Sequence, residues 1–270
     1  MIINNNMKNL NFSKIFYSKG YVIGKIENIN HFQKIEKEIS KITLKFLNIK
    51  KKPIFFLENL HKYLDYEKIN VLRVKIYKEL NQKKWFREIY FNLAKKTIKD
   101  IVGDELAMQN NINFSFQLPK DSTSQLSMHS DSLSGESMFQ VVLWVPLMKA
   151  HKTNSMYILN KKDSIKNIKN LKNFQYHGIE KIYHNYKKKI EFLNVKKNQF
   201  LLFSPNLLHG NVVNEEKTTR ISMNCRFKNL FSPYNNNNKH FGKRLGYFYS
   251  PLKIKSVTKF SLDFKIPNEF

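Results

Sequence analysis

The spacing of apolar residues changes at Gly103, and this limits the fold more than any single motif does. Before it, apolar positions recur every three or four residues, as in helices buried along one face. The segments are "HFQKIEKEISKITLKFL" (31–47), "INVLRVKIYKEL" (69–80) and "KWFREIYFNLAKKTIKDIVG" (84–103), the last closed by its glycine. "KKPIFFLENLHKYL" places Pro53 where a first helical turn tolerates it. One early exception, "GYVIGKIE" (20–27), reads as a short strand after a glycine turn. Beyond Gly103 the period falls to two in "NINFSFQL" (111–118). "MFQVVLWVPL", "SMYIL", "IEFLNV", "QFLLFS" and "RISMNCRF" are further strands. Helices followed by evenly spaced strands predict an α+β chain, a jelly roll or barrel braced by N-terminal helices. We read 1–270 as one domain. Residues 1–103 give mainly helical support, 104–230 the strand-rich core, and 231–270 a C-terminal extension. A charged insertion at 160–190 is part helix and part loop, and "NNNN" (235–238) is a low-complexity turn.

A chain of 270 residues can bury a substantial core. Its net charge of +26 invites a nucleic-acid partner. Against this, only five of the 47 basic residues are arginine, the residue that reads phosphates and guanines through paired hydrogen bonds. The lysines are spread along the chain, which suits a solvated surface and no specific nucleic acid. A single cysteine, Cys225, excludes an internal disulfide and a cysteine-based zinc site, and fits a reducing compartment. No run approaches the ~18 apolar residues of a membrane span. The start "MIINNNMKNLNFSKIF" has no apolar signal core, so the expected location is cytoplasmic.

Chemistry concentrates in three places. "SMHSDSLSGE" (127–136) sets His129 and Asp131 two apart at the lip of an apolar strand. On a strand, residues two apart point the same way. Eighty residues on, "FLLFSPNLLHGN" runs an apolar strand into His209 and Gly210. In "TTRISMNCRF", Arg220, Ser222, Asn224 and Arg226 share one face, and Ile221, Met223, Cys225 and Phe227 share the other. Such a strand lines a wet cavity on one side and a core on the other. Two imidazoles and one carboxylate suit non-haem Fe(II) with open positions, with zinc as the competing metal. The guanidinium of Arg220 beside the hydroxyl of Ser222 makes a fork for a carboxylate and argues against plain hydrolytic zinc. A co-substrate that chelates a metal at one end and carries a free carboxylate at the other, such as 2-oxoglutarate, spans that gap.

At these residues the chain resembles the Fe(II)/2-oxoglutarate-dependent oxygenases, specifically the phytanoyl-CoA dioxygenase-like group. Within that group it is most similar to bacterial oxygenases of surface-carbohydrate gene clusters. The likeness covers about 105–230, through "QLPKDSTSQLSMHSD", "VVLWVPL", "NSMYIL", "FLLFSPNLLHGN" and "TRISMNCRF". It implies a double-stranded β-helix, cupin-like core. It implies iron held by His129, Asp131 and His209, and the far carboxylate of 2-oxoglutarate held by Arg220 and Ser222. Trp144 matches a tryptophan that packs near the co-substrate. The implied reaction uses O2, releases succinate and carbon dioxide, and oxidises a C–H bond of a small molecule, a sugar, nucleotide-sugar or glycan precursor. Halogenating relatives lack the carboxylate supplied here by Asp131, so hydroxylation or a related oxidation is expected. One departure is Asn198, where similar chains carry glycine in a turn; asparagine tolerates the same left-handed backbone.

Other residues are secondary candidates. Gln117, on one face with Asn113 and Ser115, is a candidate for co-substrate binding. Gln140, Asn154 and Ser155 could contact co-substrate or substrate. Arg226 reads as a structural ion pair. His151, His177, His184 and His240 read as solvated loop residues, and 160–190 as a lid or a decoration. Two alternatives stay open: the same chemistry on a lipid or small natural product, and a non-oxidative cupin-like metal- or sugar-binding protein, which would have no use for Arg220 and Ser222.

Overall fold

The computed structural model describes residues 11–51, 56–171, 178–234 and 245–263, with backbone alone at 178–180 and 262. In chain order the elements begin with α1 (Phe12–Lys19), β1 (Tyr21–Lys25), α2 (Ile29–Phe46), α3 (Tyr66–Asn81), α4 (Phe86–Phe91) and α5 (Lys95–Val102). They continue with β2 (Leu106–Gln109), β3 (Asn113–Gln117), β4 (Gln140–Pro146), β5 (Tyr157–Ile158), α6 (Lys161–Lys169) and α7 (Gly178–Tyr186). The last are β6 (Glu191–Phe192), β7 (Gln199–Phe203), β8 (His209–Gly210), β9 (Arg220–Asn229), β10 (Tyr249–Lys253) and α8 (Ser256–Asp263).

The helical first part and the strand-rich second part follow the change of period. Two expectations need correction. Residues 84–103 do not form one helix. The chain breaks between α4 and α5 because Leu93 gives its carbonyl to the amide of Glu27, at 3.0 Å. The Glu27 carboxylate then accepts the amides of Lys96 and Thr97 at 2.7 and 3.0 Å, capping α5 from a distant segment. The stretch around 57–62 is a short 3-10 helix interrupted at Asn59, and Pro53 lies outside the described residues. The turn at 235–238 also lies outside them.

Seven strands form the main antiparallel sheet, in the order β1, β7, β4, β9, β2, β10, with β3 pairing the first half of β9. Its two end strands come from outside 104–230: β1 at one end, and at the other β10 with Pro251, from the C-terminal extension. β6, β5 and β8 form a small second sheet, which a bridge between His129 and His209 continues. β4 is buried along its whole length, so it reads as a continuous apolar run. Its alternate residues separate two cores. Val141, Leu143 and Val145 pack against helical residues such as Ile35, Leu72 and Phe86. Val142 and Trp144 pack between the sheets with Ile158, Leu201 and Phe203. The insertion supplies α6 and α7, and Ile182 of α7 is buried with Tyr157 and Leu208 over the small sheet.

Gly24 of β1 is opposite Phe200 of β7. A Cβ added there would lie 2.4 Å from the Phe200 ring. Gly24→Ala therefore overpacks the β1–β7 pair, and is expected to cost about 1–3 kcal/mol. A thermal melt measures it; an unchanged midpoint would mean that the ring moves aside freely.

Candidate metal centre

His129 and His209 lie eighty residues apart in sequence and opposite each other in space. His129 donates its amide to the His209 carbonyl at 2.8 Å, and His209 donates back at 2.9 Å. Their rings are 4.3 Å apart between centroids. The Nδ1 of His129 lies 2.8 Å from the Ser127 carbonyl, and that of His209 2.9 Å from the Leu207 carbonyl. A carbonyl only accepts, so each Nδ1 carries the proton and each Nε2 presents a lone pair. Both Nε2 atoms face one carboxylate oxygen, Oδ1 of Asp131, at 3.6 and 3.8 Å. Ligand atoms of His129, Asp131 and His209 all lie within 4.8 Å of one another. This donor set, two imidazoles in the ligating tautomer and one carboxylate, fits a divalent transition metal.

The pair at 129–131 is not on a strand, contrary to the sequence reading. His129 makes a one-residue bridge, and Asp131 opens a turn that closes at Gly135, whose φ is 87°. Serines on either side of Asp131 hold this turn in place. The Ser130 hydroxyl donates to the Pro205 carbonyl at 2.8 Å, and the Ser132 amide donates to the same carbonyl at 3.3 Å. They stitch the turn to the segment leading into His209.

Electrostatics favours the ligating forms. Burial raises the carboxyl of Asp131, but Arg226, His209 and His129 outweigh it and hold it below its ordinary value. Burial pushes His209 down to about 4, so its imidazole is neutral at neutral pH. Arg226 donates to Oδ2 of Asp131 at 2.9 Å and pairs with Glu136 at 3.6 Å. One carboxylate oxygen is thus held by a guanidinium while the other faces the imidazoles.

Arg220 sits on the same face of β9 and is 3% exposed. Its guanidinium donates to Ser222 Oγ at 2.7 Å, Ser115 Oγ at 2.9 Å, Gln117 Oε1 at 2.9 Å and the Asn154 carbonyl at 3.2 Å. All four acceptors are neutral. Among the described residues no carboxylate pairs with it. Burial lowers it to about 10, so it stays charged. Trp144 lies beneath it, 5.9 Å from ring centroid to guanidinium carbon. A hollow of about 130 Å³ is lined by His129, Asp131, His209, Arg220, Trp144 and Arg226, among others.

All seven residues that the sequence reading assigned to the metal or the co-substrate thus come together: His129, Asp131, His209, Arg220 and Trp144 line the hollow, and two stand behind it. Ser222 and Gln117 are fully buried behind Arg220 and orient it. Asn154 reaches Arg220 through its carbonyl, while the Ser155 hydroxyl is buried with no hydrogen-bond partner among the described residues. Gln140 lies away from the hollow and accepts from the Tyr249 hydroxyl. His184 is exposed but on a helix; His151 is half-buried with an unpartnered Nδ1, not solvated as expected. His177 and His240 lie outside the described residues. Sequence reading missed three contributors. Glu136 buttresses Arg226, Phe203 packs edge-on to His209 with centroids 4.9 Å apart, and Asn211 fixes Leu126 at the rim by accepting its amide. Only Phe203 carried a signal, as the inward position next to the turn in "FLLFSPNLLHGN".

No family's sequence model matches the chain, and no curated protein matches it. Solved structures do. A nickel complex of ThoJ, described as a non-heme monooxygenase, has a TM-score of 0.52 at 13% identity, over 82% of this chain and 79% of that one. EctD from S. alaskensis with 2-oxoglutarate and 5-hydroxyectoine has a TM-score of 0.52 at 14% identity, over 87% and 81%. AviO1 from Streptomyces viridochromogenes Tue57 has a TM-score of 0.53 at 11% identity, over 83% and 96%. The chain shares their fold.

Arg226→Met should remove the guanidinium from Asp131 and lower metal affinity about 10- to 100-fold, as outer-shell losses do. Titration with Fe(II) or Co(II) under anaerobic conditions measures it, and Arg226→Lys should recover part of the loss. Equal affinity in all three proteins would remove Arg226 from the centre.

Proposed function

We propose that this chain is an Fe(II)- and 2-oxoglutarate-dependent dioxygenase of the phytanoyl-CoA dioxygenase-like kind. In this reading it oxidises a C–H bond of a sugar, nucleotide-sugar or glycan precursor, and the two sheets are the walls of a double-stranded β-helix. The observation that carries the reading is Arg220: a buried cation with only neutral partners, in the same hollow as three converging metal ligands. Burying a charge costs several kcal/mol unless an opposite charge offsets it. A carboxylate that also reaches the metal offsets it here. The EctD neighbour was solved with 2-oxoglutarate, which has that shape.

Iron with 2-oxoglutarate supplies oxidative decarboxylation to succinate and carbon dioxide, coupled to oxidation of a substrate C–H bond by O2. The chain's own residues do the positioning. His129, Asp131 and His209 would hold the iron. Arg220, fixed by Ser115, Ser222 and Gln117, would receive the far carboxylate, with Trp144 as a wall. Arg226 keeps the Asp131 carboxylate in the place that halogenating relatives leave vacant, which favours oxygenation. The hollow, at about 130 Å³, suits a compact co-substrate and not an enclosed sugar; ligand-enclosing sites run to roughly 300–1,000 Å³. The substrate would therefore dock at the rim, by Leu126 and Asn211. The carbohydrate assignment is supported by the sequence resemblance and by a polar wall of Ser115, Asn224 and Arg226. The lone cysteine is free and buried, its thiol pushed up to about 12 by desolvation, which suits the cytoplasm.

Anaerobic addition of Fe(II) and 2-oxoglutarate should produce a weak visible charge-transfer band. His129→Ala and Asp131→Ala should abolish both the band and succinate release. Arg220→Ala should keep metal binding yet raise the 2-oxoglutarate requirement at least about tenfold, since a buried charge pair loses 2–5 kcal/mol when one partner goes. Full turnover in all three variants would refute the assignment.

A further inference from the structure

A second, larger hollow lies behind the metal-binding turn. Its volume is about 930 Å³, in the range of sites that enclose a ligand. It shares no lining residue with the metal hollow. Asp131 and Phe203 line the smaller hollow, and their neighbours Ser132 and Ser204 line the larger, so at these points consecutive residues face different hollows.

The cleft is walled by helices and mostly apolar: Phe16 of α1, Ile101 and Val102 of α5, Ile165 and Ile168 of α6, with Phe139 from the approach to β4. Among the described residues no aspartate or glutamate lines it, and the two charged residues that do, Lys161 and Lys169, both come from α6. Lys161 spans to α1, where it donates to the Tyr17 carbonyl and lies 4.4 Å over the Tyr17 ring. Tyr17, Met138 and Phe139 are 80%, 65% and 58% exposed. Large apolar side chains gathered around one cleft mark an interaction site, unlike the same residues scattered singly.

Charge identifies the occupant. A second copy would bring another net +26 against a basic rim, which repels. An apolar interior with cations at its mouth complements an alkyl chain ending in an anion. We infer that the cleft binds one long-chain amphiphile with an anionic head, taken up as a single molecule. Its chain lies among Ile101, Phe139, Ile165 and Ile168, and its head lies against Lys161 and Lys169. The inference uses no metal-binding side chain and stands apart from the oxygenase reading.

Titration of the purified protein with cis-parinarate, a fluorescent long-chain carboxylate, tests this. Saturable binding of one probe per chain is expected. Ile165→Asp, a change at a surface-exposed position, should weaken it about tenfold or more, a loss of 1.4 kcal/mol or above. The double variant Lys161→Gln, Lys169→Gln should weaken parinarate about threefold, in the range of exposed charge pairs, and leave its methyl ester unaffected. Metal titration of each variant should match the parent, which shows that the fold is intact. Four results would overturn the inference. These are no saturable binding by the parent, unchanged affinity in Ile165→Asp, binding to phosphatidylglycerol vesicles but not to the monomeric probe, and a concentration-dependent dimer that Ile165→Asp disrupts.

Discussion

Two backbone hydrogen bonds, exchanged between His129 and His209, bring the candidate centre together. Each joins chain segments whose meeting costs loop-closure entropy, and neither ligand is on a long strand that would hold it independently. The cost is met by what surrounds the pair. His209 and Gly210 also pair with Ile158 and Tyr157, and the turn after His129 is tied to Pro205 by two serines. Glycine is required at 210: a Cβ there would come within 2.5 Å of the Tyr157 hydroxyl and 2.8 Å of the Leu126 carbonyl. The closeness that fixes the imidazoles thus leaves no space for a side chain beside them.

Arginine and lysine divide the labour in this chain. The many lysines are mostly at the surface. Among the described residues, Arg87 is half-buried and Arg220 and Arg226 are more deeply buried, and each holds backbone or side-chain oxygens with a planar fork. Arg87 donates to the Met108 and Ser250 carbonyls and so joins α4 to the β2–β10 edge. Arg220 and Arg226 take the two ends of the polar face of β9 around the hollow. Scarcity of arginine argued against nucleic acid at the level of sequence, and the interior positions give the few that exist a different purpose. Lys228, next along the same face, is a buried exception: it lies 3.3 Å over the Tyr234 ring, and desolvation lowers it to about 8.

Much of this was legible in the residues, for identifiable reasons. The alternation in "RISMNCRF" separates a wet face from a dry one, and the structure keeps that division: Ile221, Met223, Cys225 and Phe227 are in the helix-side core. Asn198 does adopt a left-handed backbone, with φ of 66°. What stayed hidden depends on distant partners. The break at 92–94 answers to Glu27, which local periodicity does not record. β2 is buried on both faces and shows no alternation, and β10 carries a proline that disguises an edge strand. The backing of Asp131 by Arg226 and Glu136 joins the 131–136 turn to a strand ninety residues on, and no spacing rule connects them.

Arg220 has a thermodynamic corollary. A cation buried among neutral oxygens has its desolvation cost met during folding, so a carboxylate would meet a receptor already assembled. A small carboxylate that completes that charge would bind the native state and have no comparable site on the unfolded chain. Occupancy and conformational stability are then linked by mass action. If 2-oxoglutarate is that carboxylate, its concentration would bear on how much of the chain is folded as well as on how much of it is occupied.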